Sequence, residues 1–140
     1  MLHLYSRRER AWLTALDRAL AVVEFGTDGV VRTANAAFLA LTGYSLAEIQ
    51  GRHHSLFVPV RHQGGGAERA LWDDLRAGTV SGDEFQRVTK DGREIWLQSS
   101  YVPVSGRDGR IAKIVTFAID ITVLKAQTLD LNGQIAALHR

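Results

Sequence analysis

Glu94-Ile-Trp-Leu-Gln-Ser-Ser-Tyr-Val-Pro-Val104, Ser105-Gly-Arg-Asp-Gly-Arg110 and Ile111-Ala-Lys-Ile-Val-Thr-Phe-Ala-Ile-Asp120-Ile-Thr122 decide how this chain folds. The outer two runs are rich in β-branched and aromatic residues, and Asp108-Gly109 supplies the positive φ that a hairpin turn requires. The three segments therefore read as two long strands and their turn. Alternation divides the second strand into a face of Lys113, Val115, Phe117 and Ile119 and a face of Ala112, Ile114, Thr116 and Ala118. On the first strand Ser99 shares a face with Leu97 and Tyr101. A face lined with Ala, Thr and Ser leaves room beside it, for large helix side chains or for a bound group.

The rest of the chain is read outward from this hairpin. Residues 6–20 predict a helix capped by Ser6, with Glu9 three residues on and Trp12, Leu13, Leu16 and Leu20 at helical spacing. Ala21–Phe25 and Val30–Thr33 form a first hairpin about Thr27-Asp28-Gly29. Asn35 caps a short helix over Ala36–Thr42, which Gly43 ends. Ser45 with Glu48 is a capping box opening another short helix through Gln50. Arg61–Gly66 reads as a loop, and its glycines are followed by Ala67-Glu68, not by the Gly-Lys-Ser/Thr of a phosphate loop. Ala67–Ala77 is a helix carrying Leu71, Trp72 and Leu75 in one stripe. Gly82–Thr89 is a strand, turned by Lys90–Arg93 into the long pair. Past Asp120, the residues Ile121, Leu124, Thr128, Leu131, Ile135 and Leu138 fall three and four apart. The helix they predict, Val123–Arg140, is ~27 Å long at ~1.5 Å per residue. It either folds back on its own domain or forms a parallel two-helix coil with a second copy.

Composition narrows the function. The 140 residues suit one domain with flanking segments, and a hydrophobic content of 46% supports a real core. The net charge is +2 with its charges scattered, so no basic face for nucleic acid is visible. The chain has no cysteine, which removes disulfides, thiolate metal sites and cysteine nucleophiles. No apolar run is long enough to span a bilayer, and Met1–Tyr5 lacks a signal-peptide pattern. A cytoplasmic protein without direct membrane insertion is expected. Serines without a glycine elbow, and no carboxylate pair in a likely cleft, argue against an enzyme. His53-His54 is the most chemically suggestive pair. Neighbours on a helical turn point about 100° apart, so the two do not readily share one metal.

Asn35-Ala-Ala-Phe38, Gly43-Tyr-Ser45 with Glu48-Ile49 and Gly51, Gly92-Arg-Glu-Ile-Trp96 and Asp120-Ile-Thr122 occur in the order of PAS signatures, and the element order resembles a PAS domain. His53–Phe57, Trp72 and Trp96–Pro103 resemble the PAS sensors of bacterial chemotaxis and aerotaxis receptors. The resemblance implies an α+β fold, a five-stranded antiparallel sheet with short helices on one face, flanked by N-terminal and C-terminal helices. It divides the chain into a flanking helix (1–19), a PAS domain (20–122) and a signalling helix (123–140).

On the same resemblance, Leu97, Ser99, Tyr101, Ile114, Thr116 and Ala118 face a cofactor pocket. Trp96, Gln98, Val115, Phe117 and Ile119 lie outside, under the N-terminal helix. The contacts it implies for a cofactor are Asn35, Phe38, Arg52, His53, His54, Trp72, Leu97, Ser99, Tyr101, Thr116 and Ala118. FAD is the first expectation, from the aerotaxis-type signatures; haem b held through His53 or His54, or no cofactor, are the alternatives. Blue-light relatives use a cysteine where this chain has His54, so a photoadduct is excluded. Redox or oxygen sensing, a homodimer through both end helices and a downstream chemoreceptor signalling domain complete what the resemblance implies.

Overall fold

The structure is a computed structural model describing residues 6–138, with side chains through Ile135. The expectations for Met1–Tyr5, His139 and Arg140, and for the Leu138 side chain, lie outside the described residues. The elements are α1 (Arg7–Ala19), β1 (Ala21–Phe25), β2 (Val31–Ala34), α2 (Ala36–Thr42), α3 (Leu46–Ile49), α4 (Gly66–Arg76), β3 (Ser81–Val88), β4 (Glu94–Ser105), β5 (Ile111–Asp120) and α5 (Thr122–Leu138). Two 3-10 turns, His54–Phe57 and Val60–His62, join α3 to α4. The second overlaps the start of the expected loop, and in it the Val60 carbonyl accepts from Gln63 N–H.

The sheet has the order β2-β1-β5-β4-β3 and every pairing is antiparallel. Gly109 at φ +80° and the Asp108 carboxylate, which accepts from Arg110 N–H, build the β4–β5 turn. Register aligns the small residues: Thr116 sits between Val23 and Tyr101, and Ala118 between Ala21 and Ser99. All six are buried, and α2, α3, the His54–Phe57 turn and α4 cover them with Phe38, Ile49, Phe57, Leu71, Trp72 and Leu75. Alternation on β4 and β5 thus separates core from surface as the sequence predicts.

The outer face departs from expectation. α1 does not cover it: Trp12, Leu13 and Leu16 are 64%, 42% and 45% exposed, and α1 has no buried residue. The cause is a tether at its other end. Asn35 Nδ2 donates to Asp17 O and Leu20 O, so the helix leaves the domain at the β1–α2 junction. Trp96 is met instead by the start of α5, whose Lys125 ammonium lies 4.8 Å from the centre of its ring. Lys125 also pairs with Glu84 of β3. Asp120 accepts from Thr122 N–H and hydroxyl, and Thr122 Oγ1 accepts from Trp96 N–H, which fixes the strand-to-helix junction. Beyond that junction α5 projects away, leaving Val123, Leu124, Leu129, Leu131 and Ile135 exposed. A helix folded back on its own domain is not what forms.

Candidate functional site

The inner sheet face and the short helices enclose a cavity of about 20 Å³, lined among others by Phe38, His54, Leu97, Ser99, Tyr101, Thr116 and Ala118. Seven of the sequence-predicted contacts are therefore together. The space is room for about one water molecule. Trp72 stands behind His54, their ring centres 5.1 Å apart, and lines a separate open cleft of about 380 Å³ between the His54–Phe57 turn and α4.

Besides Trp72, three predicted residues do not line the cavity. Asn35 has its carboxamide committed to backbone: Oδ1 accepts from Val22 and Phe38 N–H, and Nδ2 donates to Asp17 and Leu20. Arg52 is exposed on the surface. His53 caps the 3-10 turn by accepting from Ser55 N–H and borders the cleft. The adjacent histidines thus diverge, one toward solvent and one inward.

Two residues that the sequence reading missed organise the interior. Arg87 is only 6% exposed; its Nη2 donates to Tyr101 Oη at 3.1 Å, and its Nη1 to Glu68 Oε1 at 3.1 Å and to Gln86 O at 3.0 Å. His54 Nε2 lies 3.3 Å from Tyr101 Oη, while His54 Nδ1 lies 3.7 Å from Glu68 Oε2, too far for a hydrogen bond. The signal for Arg87 was its parity: it shares the inward register of Phe85 and pairs with buried Ile95. Glu68 lies one helical turn before Trp72, on the same side of α4.

Burial is the main influence on His54, pressing its pKa well below 6.5, and the nearby Arg87 and His53 charges push the same way. The ring is neutral near pH 7. Burial raises the Tyr101 pKa, opposed by Arg87. Burial alone would lower the Arg87 pKa, but Tyr101 and Glu68 hold it above the ordinary value. Among the described residues, three buried polar atoms lack a hydrogen-bond partner: Glu68 Oε2, Trp72 Nε1 and Thr116 Oγ1. Each such atom costs roughly 1–3 kcal/mol of lost solvation.

A five-stranded antiparallel sheet with its helices gathered on one face, and polar groups buried beneath them, defines a PAS domain. The chain belongs to the PAS-fold family, matched over residues 4–126. It is 36% identical over 128 residues to the Biofilm dispersion protein BdlA of Pseudomonas aeruginosa, spanning 91% of this chain and 31% of that one. It is 28% identical over 111 residues to a blue-light-activated histidine kinase of Brucella canis, spanning 76% of this chain and 22% of the kinase. The chain thus spans less than a third of the curated relatives named here. Among solved structures, an RNA-binding light-oxygen-voltage receptor superposes with a TM-score of 0.72 at 24% identity, covering 95% of this chain and 38% of the receptor. The PAS domain of a Colwellia psychrerythraea protein superposes with a TM-score of 0.69 at 21% identity, covering 82% and 98%. These likenesses show the fold.

Proposed function

We propose that this chain is the sensory module of a larger signalling protein, holding a small molecule on its inner sheet face and relaying its state through α5. The observation that carries the reading is the pairing of small inward residues, Ser99, Thr116 and Ala118, with buried polar atoms that have no partner. A packed core has little reason to keep Thr116 Oγ1, Trp72 Nε1 and Glu68 Oε2 unsatisfied, whereas a polar ring edge satisfies them.

Flavin, FAD foremost, is the ligand class this reading puts first, for sensing redox state or oxygen. Its support is the aromatic and polar lining, and a light-oxygen-voltage structure described through a flavin analogue shares the fold with a TM-score of 0.67 at 22% identity. The chemistry of the lining suits a flavin edge, but the cavity of about 20 Å³ does not admit a three-ring system. The absence of cysteine leaves no thiol for a light-driven adduct. Haem b and a ligand-free dimerisation module are the alternatives.

A homodimer through α1 and α5, a chemoreceptor-type output domain downstream and a cytoplasmic, non-catalytic setting belong to the same proposal. Among the described residues, no helix is long and apolar enough to cross a membrane. The test is an absorption spectrum of the purified chain, before and after incubation with FAD and with haem. A visible flavin band supports the reading, a haem Soret band replaces flavin with haem, and a colourless protein after both incubations overturns cofactor sensing.

A further inference from the structure

His54 is the one residue that lines both the small cavity and the open cleft, so its side chain stands between them. That side chain has a polar partner on each side. Toward the interior is Tyr101 of β4, at a long 3.3 Å; toward the cleft is Glu68 of α4, 3.7 Å away with its Oε2 unpaired. A displacement of less than an ångström toward Glu68 exchanges a weak hydrogen bond for one to a carboxylate, which is the stronger kind. The remaining neighbours, Phe25 and Trp72, meet the ring edge-on and hold it by packing alone. Trp72 Nε1 is also shielded and unpaired, one turn of α4 from Glu68.

We propose that His54 is a movable partition, and that its swing from Tyr101 toward Glu68 joins cavity and cleft into one site. The joined site takes an uncharged planar ring with an amide-type edge: Trp72 Nε1 donates to the ring's carbonyl, and Glu68 Oε2, which can accept a second bond beside His54, accepts from its N–H. This rests on the ligand-binding reading above and removes its conflict with the small volume. Of the charged groups around the ring, Arg87 of β3 holds Tyr101 and Glu68 in place, and His53 lies on the same turn.

The experiment uses the full 140-residue chain. Solvent exchange of the Trp72 indole N–H is followed by NMR, its resonance identified with Trp72→Phe, and the Ile114 amide reports global opening. Such local openings span free energies from near zero up to that of global unfolding. His54→Ala is expected to speed indole exchange by about tenfold or more while Ile114 is unchanged, because the partition is gone. His54→Phe, which keeps the packing but has no bond to offer Glu68, is expected to slow it below wild type. Riboflavin, an uncharged probe with an imide edge, is expected to bind His54→Ala about tenfold more tightly than wild type and to lose that gain when Trp72→Phe is added. Fast exchange without riboflavin binding upholds the partition and overturns flavin as the ligand. Indole exchange that is the same in wild type and His54→Phe overturns the partition whether or not His54→Ala folds.

Discussion

The His54 imidazole reaches the Tyr101 hydroxyl at 3.3 Å from inside an aromatic cage that also includes Phe25 and Trp72. Its folded pKa is depressed, so between the unfolded value of 6.5 and the lower folded value the unfolded chain binds the extra proton. Stability from this group is complete above that unfolded value and is lost as pH falls through the window. The carboxylates with lowered pKa values, Glu48, Glu94 and Asp91, act from 4.5 downward, so they leave the upper part of the window to His54. Urea unfolding at about pH 7.5 and about pH 5.5 should show a loss in wild type that His54→Phe largely removes. An equal loss in both proteins would assign the effect elsewhere.

Arg87 is buried with its donors distributed over Tyr101, Glu68 and Gln86. Arg87→Met strips the charge and leaves the mostly covered Glu68 carboxyl group without its partner, a change expected to cost about 3–5 kcal/mol. Adding Glu68→Met removes the stranded carboxylate, so the double variant should be more stable than Arg87→Met alone. Denaturant midpoints for the four proteins of the cycle check this, and strict additivity would mean the two side chains are not coupled.

Asn35 is a structural clamp in this fold. Asn35→Ala removes an N-cap from α2 and strands Val22 N–H and the Leu20 carbonyl, for a loss of about 2–3 kcal/mol. Asn35→Asp keeps the acceptor and should lose less. Neither variant should alter ligand affinity in the folded protein, and a change there under titration would return Asn35 to the binding site.

The exposed seam of α5 supports the dimer proposal. Leu124 and Leu131 are 60% and 56% exposed, and an isolated helix of this length is only marginally stable in water. Sedimentation at tens of micromolar should give a dimer for wild type and a monomer for Leu124→Glu/Leu131→Glu. A wild-type monomer, or a dimer indifferent to both charges, removes α5 as the dimer contact.

The parts of the fold legible in the sequence were those set by local periodicity. Strand faces on β4 and β5 follow from alternation, and Ser6, Asn35 and Ser45 mark helix starts because an N-cap is a short-range bond. The direction of α1 was not legible, since it depends on Asn35 meeting Asp17 and Leu20 across the chain rather than on any amphipathic stripe. In the site, inward residues of ordinary type were found by parity. Arg87 and Glu68 were missed because a charge is expected at the surface; Glu68 is tolerable inside through Arg87, and Arg87 through Glu68, Tyr101 and Gln86. The volume left by the small residues was beyond reach, because large side chains from α2 and the His54–Phe57 turn set it.

The strand order places β1 between β2 and β5, so the first strand of the sheet waits for the last. Ala21 pairs with Ala118 and Phe25 with Ile114, closing a loop of most of the chain. During synthesis the β1–β2 hairpin therefore emerges with an open edge that stays unpaired until the final strand leaves the ribosome. Closure over so long a sequence separation is slow, and the exposed edge is a template for pairing with other chains in the interval. A polypeptide cut short before β5 keeps that edge permanently, so truncation at the C-terminal side should yield aggregates, whereas trimming α1 should leave a sheet that still closes.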